Sequence, residues 1–117
     1  MELKKVYNNI IPFKGYKALT FCPWVFIRES ARQRYTDTVD RHETTHAHQQ
    51  LECLWVFFFL IYGLEYLIKL LCTFSTNRAY KSVSFEQEAY EHEDEVGYNN
   101  IRKHFAWVKY IFKLYNK

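Results

Sequence analysis

Glycine and proline are scarce in this chain, three and two in 117 residues, and they lie far apart. That scarcity leaves no interdomain linker, so residues 1–117 are expected to form one domain with a single modest core. Internal repeats and low-complexity tracts are missing as well. The three cysteines, Cys22, Cys53 and Cys72, are odd in number, and none falls in a Cys-x-x-Cys pair. Cys53 and Cys72 have apolar sequence neighbours and are expected as buried free thiols. No apolar stretch follows Met1–Lys5, so no signal peptide is expected and a reducing, cytoplasmic setting follows. No concentrated basic face is present either. The net charge is +3, and the acidic run Glu91, Glu93, Asp94, Glu95 interrupts the spread of Lys and Arg. Nucleic-acid binding is therefore not expected. What is abundant is apolar and aromatic character, 49% and 20% of residues, which excludes disorder.

Residues 6–28 read as β-structure. Tyr16, Leu19, Phe21, Val25, Phe26 and Ile27 favour strands, Pro12 and Gly15 suit turns, and Pro23-Trp24 marks a bend between two short strands. From about Asp37 the pattern becomes helical, with Thr36 or Asp37 as cap. Residues 38–62 give one long helix or two abutting ones, and a further helical segment over 64–74 follows Gly63. Ser75-Thr76-Asn77 reads as a loop and Tyr80 to Ser84 as an extended connector. Ser84 is the expected N-cap of a helix over 85–96, with Gln87 at capping-box spacing and Gly97 ending it. A last helix over 98–115 would carry Ile101, Phe105, Val108 and Phe112 on one face.

The chemistry lies in His42-Glu43-Thr44-Thr45-His46. Residues four apart share a helix face, about 6 Å apart along the axis, so two imidazoles can converge on one ion. Neutral imidazole nitrogen suits Zn²⁺. Glu43 follows the first histidine directly and is placed to take a proton from water that the metal activates. The competing reading is a pair of surface histidines on a helix.

Two histidines need a third ligand. On a continuous helix His48 points away from the 42/46 face and reads as a polar surface residue or as one that supports the ligands from behind. The metzincin pattern would need Gly at 49 and His at 52, where this chain has Gln49 and Glu52. Gln49 shares the 42/46 face, where it can line the site or orient a ligand. The remaining candidates are downstream carboxylates in Phe85-Glu86-Gln87-Glu88-Ala89-Tyr90. Glu86 and Glu88 project from opposite sides of a helix, so only one of them can face the metal.

His-Glu-x-x-His followed by Glu-x-x-Ala-x on a later helix resembles the gluzincins. That resemblance implies His42, His46 and Glu86 as metal ligands, Glu43 as the base, and Ala89 as the small residue of the second motif. Tyr90 stands where the family has an aspartate, so the carboxylate usually placed behind an imidazole is missing. Pro12-Phe13-Lys14-Gly15-Tyr16, Phe26-Ile27-Arg28 and Asn77-Arg78-Ala79-Tyr80 extend the likeness, loosely, to the small, uncharacterised bacterial mini-gluzincin peptidases. The fold implied is α+β, a mostly helical zincin-like minimal domain with an N-terminal β-hairpin or small sheet packed on the active-site helix. The activity implied is zinc-dependent hydrolysis of a peptide or protein substrate. In zincins an edge strand beside the active-site helix holds extended substrate, and Trp24 to Arg28 is the candidate here. An oxyanion donor is also required. Tyr90 and His92 rank first because they share the Glu86 helix, ahead of Tyr80, Arg78 and His104.

Leu54 to Leu64 is hydrophobic on every side, and extended to Phe74 it reaches bilayer length. Its apolar residues would gain roughly 4–8 kcal/mol in a membrane, against a cost of about 5–7 kcal/mol for Glu65 and Lys69. A single span over 54–74 would put His42 and His46 on one side and Glu86 on the other, so a shared metal excludes it. A bend near Gly63 is expected instead, giving a helical hairpin with Glu65 paired to Lys69 or Arg78. Such a hairpin can form the core of a soluble domain, bury itself in a homodimer or lie in a membrane surface. The alternative to an enzyme is a catalytically inactive zinc-stabilised interaction or membrane-associated module. A third reading is a small membrane protein whose motif is accidental.

Overall fold

The computed structural model describes residues 2–10 and 17–115. The Pro12–Tyr16 stretch read above as turn and strand lies outside them. Three strands, β1 (Lys4–Asn8), β2 (Ala18–Phe21) and β3 (Trp24–Arg28), form a mixed sheet in the order β1-β3-β2. β2 and β3 make the expected hairpin around Cys22-Pro23, pairing antiparallel from Ala18↔Ile27 to Phe21↔Trp24. β1, unexpected in its lysine-rich start, adds in parallel to the other side of β3. The alternation puts Val25 and Ile27 wholly inside, packed with Leu3, Cys22 and Ala47.

A 3-10 turn (Glu29–Arg34) leads to helix α1 (Asp37–Glu52). Thr36 is its cap, accepting from the Val39 N–H, and Asp37 and Asp40 complement the positive end of the dipole. Of the two readings of residues 38–62, one long helix or two abutting ones, the structure has two, with the break at residues 53–55. α1 ends at Cys53, and Leu54 and Trp55 then adopt left-handed φ values of 53° and 56°, a conformation that bulky residues hold only under tertiary constraint. The constraint is visible: the Trp55 N–H bonds the Gln50 carbonyl at 2.8 Å, and its indole N–H bonds the Cys22 carbonyl at 3.0 Å.

α2 (Val56–Thr73) runs unbroken through an exposed Gly63, so the expected bend there is corrected. The reversal comes at Phe74, a left-handed cap whose N–H bonds the Leu70 carbonyl. Ser75 caps α3 (Thr76–Ser82), which folds back along α2 where a loop and extended connector were expected. Val83 alone is extended, and α4 (Ser84–His92) starts directly after it. Ser84 does not cap α4: its backbone N–H and its hydroxyl both donate to the Glu65 carboxylate. Gln87 likewise reaches the Ser82 and Lys113 carbonyls and takes no part in a capping box. Lys69, on the next turn of α2, pairs with Glu65 at 3.2 Å and donates to the Ser82 carbonyl. Both charged residues of α2 thus turn inward and hold the α3–α4 junction.

The expected helix over 98–115 is broken. α5 spans only Tyr98–Ile101, Arg102 is extended, Phe105 is left-handed, and a 3-10 helix covers Ala106–Tyr110. The cause is Glu52, which accepts from Arg102 and from the Phe105 N–H. Trp107 and Tyr110 bury themselves, while Ile101, Phe105, Val108 and Phe112 face outward. A second core of Cys53, Phe58, Val83, Phe85 and Trp107 forms behind α4. Cys53 is buried as expected, but Cys72 is exposed.

Candidate metal centre

Half of α1 is buried, yet little of what it buries is apolar. Seven of the eight buried residues of α1 are polar: His42, Glu43, Thr44, Thr45, His46, Gln49 and Gln50. Buried polar groups are costly unless each finds a partner, and here the partners converge on one point.

Nε2 of His42 and Nε2 of His46 each lie 3.1 Å from the same oxygen, Oε1 of Glu86 on α4. All three side chains are buried and together could hold a metal ion. Ligands at about 2.0–2.1 Å in a tetrahedral arrangement sit roughly 3.3–3.4 Å apart, so small adjustments admit an ion.

The surrounding hydrogen bonds leave the right lone pairs for a metal. Gln49 Nε2 must donate, since both of its neighbours, the Phe85 carbonyl at 3.1 Å and Glu88 Oε1 at 2.9 Å, accept. Gln49 Oε1 therefore accepts from His46 Nδ1 at 2.8 Å, which keeps the proton on Nδ1 and aims Nε2 at Glu86. Tyr62 of α2 donates to Glu86 Oε2 at 2.7 Å and leaves Oε1 facing the imidazoles. Behind His42, Glu93 Oε1 lies 3.7 Å from Nδ1, so a carboxylate one turn later approaches the position left vacant by Tyr90. The Arg41 guanidinium holds the Glu93 backbone carbonyl.

Burial alone would raise the Glu86 carboxyl, but the two histidines outweigh it and hold it well below the usual carboxylate range. Burial likewise opposes the protonation of His42, yet Glu86 and Glu93 raise it to about 10. His46 is raised by Glu86 against the same penalty. Glu43 differs. Burial pushes its carboxyl up despite both histidines and despite Thr20, whose hydroxyl donates to Oε1 at 2.7 Å.

Two clefts of about 530 Å³ each open on this centre and share Ala18, Glu43 and Tyr80. One is polar, with Lys17, His42, Asn77, Lys81, Tyr90 and Glu93; the other is apolar, with Leu19, His46, Phe58, Phe59, Tyr62 and Glu86. The strand beside them is β2. The candidate strand Trp24–Arg28 is instead the centre of the sheet, paired on both sides and closed to further strand addition. On β2, Gln50 takes the Thr20 carbonyl at 2.6 Å and the Cys22 N–H at 2.7 Å, so these two residues face away from β3. Strand alternation puts the peptide groups of Ala18 on that same side.

Tyr90 packs its ring 4.4 Å from that of His42 and brings its hydroxyl 3.4 Å from that of Tyr80. His92 is not at the site. It lies four residues after Glu88 on the opposite face of α4, stacked 3.9 Å from Tyr98 and bonded to Glu95. Glu88 is likewise turned away, held by Arg102 at 2.8 and 2.9 Å and by Tyr98 at 2.7 Å. His48 sits half-buried near Arg102, Arg78 bonds the Tyr115 carbonyl, and His104 is exposed beside Glu52. The residues missed in the sequence are Tyr62, Thr20, Gln50 and Glu93. Tyr62 and Thr20 reach the centre from distant segments, which no local pattern records, while Gln50 follows His46 on α1 and Glu93 caps the end of α4.

Comparison with protein-family models, with curated proteins and with solved structures finds no match for this chain.

Proposed function

We propose that this chain is a small gluzincin-like zinc hydrolase acting on peptides, with His42, His46 and Glu86 as the metal ligands. The observation that carries the reading is the convergence of both Nε2 atoms on Glu86 Oε1, next to the buried carboxyl of Glu43. Two imidazoles and one carboxylate form a donor set suited to catalytic zinc, which keeps a position open for water or substrate. Zinc bound there would supply Lewis acidity, making water a nucleophile near neutral pH.

The chain's own residues account for the rest. Glu43, oriented by the Thr20 hydroxyl, receives the proton from the attacking water and returns it to the leaving amine. Tyr90 and Tyr80 are the hydroxyl donors for the developing oxyanion. An extended substrate lies along β2 at Ala18, and the apolar cleft takes a hydrophobic side chain on one side of the cut bond.

The test is metal content and turnover together. One zinc per chain is expected, strongly reduced in His46→Ala and retained in Glu43→Gln, which should lose hydrolysis of an unstructured protein substrate. Purified protein that takes up no zinc at neutral pH would refute the assignment. Zinc uptake without hydrolysis in the unaltered chain would favour the non-catalytic, zinc-stabilised module.

A further inference from the structure

The outer side of α2 is the largest feature that the metal centre leaves unexplained. Phe57, Leu60, Leu64, Leu67, Ile68 and Leu71 are each 51–65% exposed, and at 3.6 residues per turn they fill an arc of about 100°. No polar side chain interrupts that arc, whereas the inner side of the helix carries both Glu65 and Lys69, each bonded to the domain. Amphipathic helices normally turn the apolar arc to the core. α2 gives Phe58 and its neighbours to the core, yet leaves a second apolar arc outside. By length and composition the helix could cross a bilayer. Crossing would drag the Glu65–Lys69 network and the packed α3–α4 junction into hydrocarbon, at several kcal/mol for each charge. Lying flat exposes only the apolar arc.

The C-terminal segment selects the surface. Residues 96–117 contain no aspartate or glutamate. Their 3-10 helix packs on α4, Trp107 and the following Ile111 join the core that Phe58 of α2 enters, and Lys69 bonds the Tyr110 carbonyl. Beside that contact, Phe105 and Phe112 are exposed, interleaved with exposed Lys103, Lys109 and Lys113. Apolar residues flanked by lysines match a lipid surface with anionic headgroups. A second copy fits less well, because two helices in contact cover only the seam between two cylinders. A fluid interface takes the whole convex face.

We propose that the outer face of α2, with the lysine-flanked segment 103–113 beside it, docks flat on an anionic lipid bilayer. Gly63, which borders the arc, lines the apolar cleft, so docking brings the edge of that cleft towards the headgroup level. The docking needs no metal and stands apart from the hydrolase reading.

The experiment is flotation of the full chain with vesicles of phosphatidylcholine, alone or with about 30% phosphatidylglycerol. Binding to the anionic vesicles is expected to be at least about tenfold tighter and to weaken with salt. Lys109→Gln/Lys113→Gln should weaken it about fivefold per lysine, and Leu64→Glu/Ile68→Glu should abolish it while the helical circular dichroism is unchanged. Should the latter variant misfold, Leu64→Trp serves in its place, and quenching of its emission by brominated lipid is expected. The proposal is overturned by failure to float with either vesicle, by equal flotation with both, or by unquenched Leu64→Trp. A concentration-dependent dimer that Leu64→Glu/Ile68→Glu dissociates, without lipid binding, would assign the face to a second copy instead.

Discussion

Replacing Gln49 with methionine tests whether the second layer of hydrogen bonds sets the metal affinity. Gln49 is wholly buried and makes three hydrogen bonds, accepting from His46 Nδ1 at 2.8 Å and donating to the Phe85 carbonyl and to Glu88. Methionine keeps the length and much of the volume but neither polar end. The imidazole of His46 then loses the acceptor that fixes its tautomer and ring orientation. Loss of such a partner typically lowers metal affinity about 10–100-fold, or roughly 1.4–2.7 kcal/mol. The fold suffers separately. The Phe85 carbonyl loses its side-chain donor, at about 1–3 kcal/mol, while Glu88 keeps Arg102 and Tyr98. A typical domain has about 5–15 kcal/mol of stability, so the variant should remain folded but melt earlier. Zinc competition against a chromophoric chelator reads the first effect, and thermal unfolding of the metal-free protein reads the second. A zinc affinity within about twofold of the unaltered chain, alongside the expected loss of stability, would show that Gln49 only packs.

Glu43→Gln should keep zinc stoichiometry near that of the unaltered chain and lower turnover by about 10²–10⁴-fold, the usual contribution of a general base; peptide-cleavage rates and metal analysis measure both. Arg102→Met unpairs Glu88, which is wholly buried, and should cost about 3–5 kcal/mol in urea unfolding. Burial raises the Glu88 carboxyl, but Arg102, Gln49 and Tyr98 outweigh that and hold it low. A carboxyl depressed by folding adds stability above its unfolded value near pH 4, and that stability is lost as the pH falls through the folded value. Acid unfolding of Arg102→Met, followed by circular dichroism, should therefore begin at a higher pH than in the unaltered chain. Phe74→Gly should stabilise the chain by about 0.5–1 kcal/mol in thermal melts, because Phe74 is 88% exposed and holds a left-handed cap at φ 52° that suits glycine. A lower melting point would show that the Phe74 ring makes a contact that matters.

The helices that bear the centre were legible because their signals are local. Thr36 caps α1, the His42–His46 spacing puts two imidazoles on one face, and Gln49, three residues after His46, lies beside them. The fold class was legible for the same reason, in the change from strand-forming residues to a helical run. The break after Cys53 was not. No glycine marks it, and the left-handed turn is held by a bond from Trp55 to Cys22, 33 residues earlier. Gly63, the residue that looked like a hinge, sits exposed in mid-helix, where a missing side chain costs little packing. The final segment misled because its 3.6-residue spacing was real while Glu52, half the chain away, drew Arg102 out of the helix. His92 failed as a site residue because sharing a helix with Glu86 does not mean sharing its face. β3 was misassigned as an edge because β1 starts at Lys4 and Lys5, which carry no strand signal of their own.

α2 donates no ligand to the candidate centre, yet two of its side chains fix where Glu86 stands. Tyr62 grips the far carboxylate oxygen, and Glu65 grips Ser84, two residues before Glu86, by backbone and hydroxyl together. The helix therefore acts as a rigid lever arm with opposite tasks on its two sides. A roll about its long axis would shift both grips on α4, and with them the gap between Glu86 and the imidazoles. Coupling between two binding events is reciprocal, so under the docking proposal any change that docking made to metal affinity would be returned by the metal, to docking, by the same factor.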